Sequence, residues 1–427
     1  MTLPSVSVIV VSRGRPEALA LCLTGVSQLQ YPMFEVVVVA DPDGIAAVQR
    51  SPVAASAKAV PFDQPNISAA RNAGVDQAAG EVVAFIDDDA VPEPTWLTHL
   101  CTPFAQSDIA ASGGYVRARN GISYQWTARR LDRLGFAHPL HLSGDTPQIV
   151  RPGDGLAVKT EGTNMAIRRN VLVDLGGFDP AFRFFLDETD VNMRLARAGY
   201  ATAIVPLAQV HHGFAASERR RSDRVPRDLT EIGASWAVFQ RKHTPPADHQ
   251  AHTRRVRADE RRRALGLMVS GLIEPQDVRR LMRSFDVGYA AGAARTLAPA
   301  ALQTHATQPL FRHERAPGQH QIIAARGSQA EGARADALAA VKSGQIVTLL
   351  LLSRSSLYHQ ARFHPDGYWE QIGGVFGKSV RAQPMFRPWR FAARVTAEAE
   401  RITRVRGAAR VANAAFSTNS GVKTGNN

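Results

Sequence analysis

Cysteine is scarce in this sequence, and its two cysteines, Cys22 and Cys101, stand in no metal-ligating spacing. We therefore expect no disulfide framework, and we expect the protein to occupy a reducing compartment. Long apolar runs are also missing: the run at residues 346–352 is far shorter than the roughly 20 residues that span a bilayer. No charged segment precedes an apolar one at the N-terminus, so we expect no signal peptide and a soluble, cytoplasmic protein.

Several motifs of common enzyme classes are absent as well. The sequence shows no internal repeat and no zinc, Walker or nucleophile-elbow motif. Its length of 427 residues allows two or three domains with a substantial core. We therefore expect the functional residues in other clusters of polar side chains.

The second half of the chain has twice as many basic residues as the first half. Residues 1–217 hold 17 Lys/Arg and 21 Asp/Glu, a balance of −4, whereas residues 218–427 hold 34 and 17, a balance of +17. This asymmetry indicates that the second half meets an anionic partner, such as a membrane surface, a polyanionic acceptor or nucleic acid. A solvated, arginine-rich face that reflects coding bias is the alternative.

An apolar run that ends in three carboxylates is the most informative segment. Residues 82–86 predict a buried strand, and Asp87, Asp88 and Asp89 follow it directly. Because unpaired charges are costly to bury, we expect these acids at the crevice beyond the strand's carboxyl end, with Asp87 and Asp89 on one side. Oxygen ligands there suit Mg²⁺ or Mn²⁺ shared with nucleotide phosphates. The alternative is an acidic turn that caps the next helix.

A strand–helix–strand pattern precedes the acidic strand. Residues 5–11 and 34–39 predict buried strands around a helix, so a right-handed βαβ unit is expected. Asp41 follows the second strand, where such folds hydrogen-bond a nucleoside, although a turn also favours an acid there. Arg71 lies near the start of a further helix and could bind a phosphate; solvent-facing charge is its alternative.

Three motifs, in this order, resemble the signatures of family 2 glycosyltransferases over roughly residues 4–215. They are Val6-Ser7-Val8-Ile9-Val10-Val11, Ala70-Arg71-Asn72-Ala73-Gly74 and Phe85-Ile86-Asp87-Asp88-Asp89. The resemblance implies the GT-A fold, a Rossmann-like α/β architecture with a mostly parallel central sheet flanked by helices. It also implies inverting, metal-dependent transfer of a sugar from a UDP-, dTDP- or GDP-linked donor to a glycan or lipid-linked hydroxyl acceptor. The implied role is synthesis of cell-surface polysaccharide or glycan.

The resemblance also implies roles for the acids already named. Asp89 would be the ligand of Mg²⁺ or Mn²⁺. Asp87 and Asp88 would lie by the ribose and the diphosphate. Asp41 would lie by the base, but the family usually has Asp at position 40, where this chain has Ala40. The base contact is therefore expected to be shifted or weakened.

A second acidic segment opens a helix. Asp187, Glu188 and Asp190 stand in its first turn, where acids also simply suit the helix dipole. Family enzymes use the second acid of a Glu-Asp pair here to take the acceptor proton. The order is reversed in this chain, so we predict Glu188 as the general base and keep Asp187 as the alternative. Asp190 is expected to hold the helix N-terminus or to pair with Arg194.

Two adjacent histidines follow the next predicted strand. Their side chains point to opposite sides of an extended segment, so only one can serve a given site. The resemblance places a metal-binding or phosphate-binding histidine near this position. We favour His212 and keep His211 as the alternative.

The predicted organisation is a GT-A domain followed by a mainly helical, basic extension. Its parts are the GT-A domain at 1–235, the extension at 236–312, a linker at 313–335, and a region of unknown function at 336–427 with a disordered tail from 417. We also expect a peripheral contact with an anionic membrane, on its inner face, through residues 218–427, and no nucleic-acid partner. The alternatives are a nucleotidyltransferase and a non-catalytic protein that binds an anionic surface.

Overall fold

A computed structural model describes residues 3–153, 156–213, 219–221, 223–298, 300–314 and 318–413. The chain divides into two compact units. Unit 1 comprises Met1–Arg119 and Tyr124–Arg315, and unit 2 comprises Asn120–Ser123 and Ala316–Asn427. The tail predicted from residue 417 lies outside the described residues. Among the helices in the described ranges, none combines the length and the apolar character needed to cross a membrane.

Unit 1 alternates strands and helices along most of its length. Its strands are β1 (Val6–Ser12), β2 (Phe34–Ala40), β3 (Ala57–Pro61), β4 (Val82–Asp87), β5 (Ala90–Pro92), β6 (Ile109–Arg117), β7 (Tyr124–Trp126), β8 (Arg129–Leu131), β9 (Ala137–Pro139), β10 (Gln148–Val150), β11 (Ala157–Lys159), β12 (Met165–Arg168) and β13 (Ala201–His212). Its helices are α1 (Pro16–Val26), α2 (Pro42–Gln49), α3 (Ile67–Gln77), α4 (Trp96–Cys101), α5 (Arg169–Asp174), α6 (Asp187–Arg197), α7 (Thr230–His243), α8 (His249–Val269) and α9 (Pro275–Ala293).

The central sheet of unit 1 has the order β10-β13-β6-β12-β4-β1-β2-β3. Strands β3, β2, β1, β4, β6 and β13 run in one direction, and β12 runs against β4 and β6. The predicted α/β class with a mostly parallel sheet is therefore confirmed. Because β1, β2 and β4 are parallel neighbours, their carboxyl ends meet at one edge, where ligands bind in such folds.

Both faces of this sheet are covered, as expected for parallel strands rich in valine. Val8 and Val36 lie in the core on one face, together with residues of α1, whereas Ile9 and Val37 lie in the core on the other face, together with residues of α3. This alternation explains why a continuous run of apolar residues is needed in β1 and β2. The two cores fix the strand ends that carry the polar residues discussed below.

The turn predicted after β2 is instead the start of α2. Asp41 caps this helix by accepting a hydrogen bond from the backbone N–H of Gly44 at 3.0 Å, and Pro42 occupies the first helical turn. An aspartate cap followed by proline suits a helix N-terminus as well as it suits a turn, which is why the local sequence did not separate the two.

Helices α7, α8 and α9 share a core in unit 1. Trp236 and Phe239 of α7 pack in this core with Leu281 and Phe285 of α9. The helical extension predicted from residue 236 is thus observed as helices, but the boundary that we placed between residues 235 and 236 falls inside α7. Compact unit 1 continues to residue 315.

Unit 2 is an α/β unit in its own right. Its strands and helices are β14 (His320–Arg326), α10 (Ala330–Lys342), β15 (Ile346–Ser353), β16 (Gln360–Phe363), β17 (Trp369–Gly374), α11 (Phe391–Arg406) and β18 (Ala409–Asn413). The sheet has the order β16-β17-β15-β14-β18, in which β17, β15, β14 and β18 are parallel. The structure places β14 and the start of α10 inside residues 313–335, which we predicted to be a linker. The apolar core of β14, residues 322–325, is too short to stand out from its polar flanks.

A buried charge network joins α6 to α7. Asp190 accepts hydrogen bonds from Arg194 at 2.9 Å and from His243 at 2.8 Å, and Lys242 Nζ lies 2.8 Å from the same carboxylate. Although burial opposes it, the His243 hydrogen bond and these cations hold the pKa of Asp190 well below its ordinary value. Asp190 thus pairs with Arg194, one of the two arrangements expected from the sequence.

Replacing Asp190 with Asn is expected to lower the free energy of unfolding by about 3 kcal/mol, because it removes the buried carboxylate that pairs with the partly exposed Arg194 and Lys242. Urea titration at pH 7 measures this loss, with Asp259→Asn as the control, since Asp259 is half-exposed and pairs with Arg262 on one helix. Because the folded pKa is depressed, the stabilisation is present above a pH of about 4 and is lost as the pH falls below it. Equal losses in both variants would contradict the prediction.

Candidate active site

The three acids after β4 do not share one environment. Asp88 is fully buried, accepts a hydrogen bond from Ser12 Oγ at 2.7 Å, and lies 2.6 Å from Arg15 Nη2. Burial raises the pKa of Asp88 to about 7, although Arg15 opposes the rise. Asp88 therefore ties the end of β4 to the loop between β1 and α1, and its carboxylate does not face an open crevice.

Asp87 and Asp89 instead form a cluster with His212. One side-chain ligand atom from each residue lies within 4.8 Å of the other two, and His212 Nε2 lies 3.1 Å from Asp89 Oδ1. The other ring nitrogen, Nδ1, lies 3.0 Å from Gln125 Oε1. An N–H at Nδ1 that donates to Gln125 leaves the Nε2 lone pair facing the carboxylates, which is the usual outer-shell arrangement around a metal-binding histidine. Two carboxylates and one imidazole are a donor set that fits a divalent cation.

His211 points away from this acid–histidine cluster. Its Nε2 lies 2.7 Å from Glu93 Oε1, and both side chains are buried. The two histidines occupy adjacent positions of β13, so their side chains emerge on opposite sides of the strand. The structure thus brings His212 to the acids and leaves His211 with Glu93.

Arg71 connects the two acidic segments. Its guanidinium bonds to Asp187 and, at 3.3 Å, to Asp87. The carbon of the guanidinium lies 5.4 Å from the ring centre of Phe178 and 5.9 Å from that of Phe85. Only 4% of Arg71 is exposed, and its guanidinium binds two carboxylates of the protein itself. This differs from the phosphate contact expected from its place near the start of α3, because that expectation took no account of partners far away in sequence.

The acids at the start of α6 differ in partner and in exposure. The Asp187 side chain is 3% exposed, and burial raises its pKa to about 7 although Arg71 opposes the rise. The Glu188 side chain is 15% exposed and contacts Lys159 Nζ. Burial also disfavours the Glu188 anion, but the Lys159 ammonium outweighs this effect and lowers the pKa of Glu188 to about 2. Lys159 is held by a hydrogen bond to Thr189 Oγ1 at 2.9 Å.

Asp41 has a scaffold role in this structure. One oxygen caps α2, and the other accepts a hydrogen bond from the backbone N–H of Gly14 at 2.7 Å. Gly14 has φ of 68°, a left-handed conformation that glycine adopts without strain. The carboxylate therefore holds the β1–α1 loop, and Asp41 is not one of the residues of the acid–histidine cluster.

A cavity of ≈ 240 Å³ opens beside the same loop. Its wall includes residues 12–15 of the loop and Asn66, which caps α3 by accepting a hydrogen bond from the Ala69 N–H at 3.1 Å. Arg220 also lines it, and Arg15 joins it to the cluster because Arg15 Nη1 lies 3.4 Å from Asp89 Oδ2. The cavity is thus bounded by cations and a helix N-terminus, features that suit phosphate groups.

Four polar residues of this site were not predicted. Arg15 lies in the short loop after β1, and that position was the one available signal for it. Gln125, Lys159 and Arg220 stand in segments without clear periodicity, so nothing in the local sequence assigns them to the site. Of the polar residues 217–222 between β13 and α7, residues 217, 218 and 222 lie outside the described part of the chain.

The profile of a family described as glycosyltransferase-like family 2 matches residues 4–228, more than half of the chain. The chain belongs to glycosyltransferase family 2. The match contains the acid–histidine cluster, Arg71 and the acids of α6. The observed α/β sheet agrees with the GT-A fold implied by this family.

Individual proteins similar to this chain match only part of it. The O-antigen biosynthesis protein RfbC of Myxococcus xanthus is 27% identical over 262 residues, which cover 57% of this chain and 20% of that protein. The succinoglycan biosynthesis protein ExoM of Rhizobium meliloti is 32% identical over 188 residues, 41% of this chain and 55% of that one. The chain thus spans between one fifth and about half of these relatives. A solved structure, the mannosyltransferase PcManGT of Pyrobaculum calidifontis in complex with GDP-Man and Mn²⁺, shows 17% identity, covers 69% of this chain and 88% of that chain, and has a TM-score of 0.39.

Proposed function

We propose that this family 2 glycosyltransferase is an inverting enzyme that moves a sugar from a nucleotide-diphosphate sugar to a hydroxyl acceptor. The observation that carries the proposal is one juxtaposition: Arg71 bonds to Asp87 of the acid–histidine cluster and to Asp187, the neighbour of the candidate base Glu188. A donor diphosphate and an attacking hydroxyl need such neighbouring sites. The names of the two relatives support a role in cell-surface polysaccharide synthesis. If the acceptor is lipid-linked, the reaction would take place at the cytoplasmic face of the membrane.

The donor is proposed to occupy the cavity beside the β1–α1 loop. Its phosphates would face Arg15, Arg220 and the N-terminus of α3, because these groups bring positive charge to the cavity wall. UDP-, dTDP- and GDP-sugars are the candidate donors. Asp41 would affect binding of the donor's nucleotide base only indirectly, by holding the loop at Gly14.

A divalent cation is proposed to be held by Asp87, Asp89 and His212. When bound, the cation would offset the charge that develops on the leaving diphosphate. An imidazole ligand favours Mn²⁺ over Mg²⁺, because Mg²⁺ strongly prefers oxygen ligands. Gln125 would keep His212 in the orientation that faces the carboxylates.

Glu188 is proposed to take the acceptor proton. Its carboxylate is the more exposed of the two acids, so an acceptor oxygen can reach it, whereas Asp187 is enclosed by Arg71. In an inverting reaction the acceptor oxygen forms a bond to the anomeric carbon as the bond to the diphosphate breaks. The acceptor proton passes to the carboxylate in the same process. Asp187 remains the alternative base.

Donor binding tests the site directly. We expect Mn²⁺ and one class of nucleotide sugar to raise the melting temperature of the full-length protein together, and EDTA to abolish the shift. Asp89→Asn should weaken donor binding at least about tenfold, since charged groups at such sites contribute 1.4 kcal/mol or more. Asp108→Asn, an exposed acid paired with Arg151, is the matched control and should bind as the parent does. A shift that survives EDTA and Asp89→Asn unchanged would contradict the metal site.

Nucleotidyl transfer is the second candidate, because Arg13 and Arg15 both line the cavity just after β1, where such enzymes place a basic phosphate-binding loop. Product analysis separates the two reactions. Glycosyl transfer releases a nucleoside diphosphate from the nucleotide sugar. Nucleotidyl transfer to a sugar phosphate releases pyrophosphate from a nucleoside triphosphate, and that product would overturn the proposed function.

A further inference from the structure

Two neighbouring loops of unit 2 have no role in the proposed glycosyl transfer. They are residues 354–359, between β15 and β16, and residues 375–390, between β17 and α11, and together they are called the loop pair. Backbone hydrogen bonds join them: the His359 N–H donates to Lys378 O at 3.0 Å, and the Phe376 N–H donates to Ser355 O at 3.1 Å. The Lys378 ammonium also lies 4.7 Å from the ring centre of Tyr358. The loop pair therefore forms one continuous surface.

Large apolar side chains of the loop pair face solvent. Leu357 is 66% exposed, Tyr358 52%, Met385 69% and Phe386 58%. Phe386 rests against Phe376, with ring centres 5.5 Å apart, so its exposure belongs to a packed arrangement. Folded proteins rarely group exposed apolar residues of this size unless the surface meets a partner.

The charges of the loop pair have one sign. Its charged residues are Arg354, Lys378, Arg381, Arg387 and Arg390, and it contains no Asp or Glu. The four arginines are exposed and the lysine is partly buried. An occupant of this surface must therefore satisfy exposed apolar side chains and a surrounding set of cations together.

A buried polar network holds the second loop in place. Glu398 of α11 accepts hydrogen bonds from Ser379 Oγ and, at 2.8 Å, from Gln371 Nε2. The side-chain oxygen of Gln383 accepts hydrogen bonds from the backbone N–H groups of Ser379 and Val380, at 2.8 and 3.3 Å. The exposed side chains are thus presented by a defined turn.

Two kinds of anionic partner could meet cations and apolar groups. Nucleic acid uses aromatic rings for base stacking, which suits Tyr358 and Phe386 but leaves Leu357 and Met385 without a role. The boundary of an anionic bilayer accepts aliphatic and aromatic side chains alike, while lysine and arginine meet lipid phosphates. The mixture of aliphatic and aromatic residues therefore favours lipid.

We propose that the loop pair docks this protein onto the surface of an anionic lipid bilayer, with Leu357, Met385 and Phe386 inserted at the headgroup boundary. This docking goes beyond the glycosyl-transfer proposal and needs neither donor nor metal, so it can fail or succeed independently of it. It also gives a definite location to the membrane contact expected for residues 218–427.

Vesicle sedimentation of the full-length protein tests the apolar part. We expect binding to vesicles of phosphatidylcholine mixed with phosphatidylglycerol, weak binding to phosphatidylcholine alone, and weakening by salt. Leu357→Ser with Met385→Ser should lower the partition coefficient at least about tenfold, since each side chain removes buried apolar area. Val269→Ser with Val287→Ser is the matched control, because both valines are exposed on helices of unit 1. Equal losses in the two pairs would overturn the proposal.

Charge variants test the contribution of the cationic side chains of the loop pair. Arg354→Gln with Arg381→Gln should lower partitioning about tenfold or more, since a cation near an anionic surface contributes roughly fivefold. Arg279→Gln with Arg283→Gln, two exposed arginines of α9, should retain binding. Unchanged circular dichroism and melting temperature would show that the variants fold. Loop-dependent binding of a single-stranded oligonucleotide without vesicle binding, or loop-dependent self-association without it, would overturn the proposal.

Discussion

Replacing Glu188 with Gln should lower kcat by about 10³-fold, within the range that general-base catalysis contributes. Glutamine keeps the shape of the side chain and can still accept a hydrogen bond from Lys159, but it cannot take a proton. Donor affinity should change little, because Glu188 is not one of the three residues of the acid–histidine cluster. The melting temperature should fall, because Lys159 loses its anionic partner. Steady-state kinetics with saturating donor measure the effect.

The pH dependence of kcat/KM then decides which acid is the base. The pKa of Glu188 is lowered to about 2, so Glu188 stays ionised between pH 5 and 8, and its own titration should not limit activity in that range. The pKa of Asp187 is raised to about 7. With Asp187 as base, activity would instead rise about tenfold per pH unit below 7 and level off above it. The pKa of Asp88 is also raised to about 7, so an ascending limb near 7 contradicts our assignment when Asp187→Asn removes that limb.

Glu161 supplies a matched control for Glu188. It also approaches Lys159, with Oε2 3.9 Å from Nζ, and it contacts Arg129, yet it is not part of α6. Glu161→Gln should keep kcat within about threefold, as expected when no transition-state interaction is lost. A loss in Glu161→Gln as large as that in Glu188→Gln would show that the effect comes from freeing Lys159.

The fold of unit 1 was largely readable from the sequence, because the information is local. Buried parallel strands need continuous apolar runs, and residues 5–11, 34–39 and 82–86 supply them, each followed by a turn or cap. Asp87 and Asp89 were readable for the same reason, since carboxylates at the end of a buried strand can reach the sheet edge, whereas Asp88 is buried against Ser12 and Arg15. Alternation likewise indicated that only one of His211 and His212 could join them.

Features set by long-range contacts could not be read in this way. Arg71 and Asp187 are 116 residues apart, so nothing near Arg71 shows that its guanidinium is enclosed by carboxylates. The sequence around Asp41 suits a helix cap, a turn or a nucleoside contact equally well. The structure alone shows that its two oxygens accept hydrogen bonds from the Gly44 and Gly14 N–H groups. The start of unit 2 was misplaced, because its strand β14 is a short apolar core between polar flanks.

Replacing Arg71 with Met should lower both the stability of the protein and its catalytic rate. It leaves Asp187 without its buried partner, so the free energy of unfolding should fall by about 3–5 kcal/mol. Loss of the guanidinium should also raise the pKa of Asp187 further, because burial then acts on the carboxylate without an opposing charge. With Asp87 released as well, kcat should fall at least about 10²-fold and donor binding in Mn²⁺ should weaken.

Arg194→Met separates this site effect from simple destabilisation. Arg194 pairs with Asp190, and its Nη1 donates to Leu175 O at 2.8 Å, so its loss should cost similar stability. It touches neither the cluster nor Glu188, and the folded fraction should therefore keep kcat and donor affinity. Arg71→Lys should recover part of the stability but little of kcat, because one ammonium cannot reproduce a planar fork between two carboxylates. If Arg71→Met and Arg194→Met lost activity only in proportion to the unfolded fraction, Arg71 would be a structural residue, and the connection between the two acidic segments would not be part of catalysis.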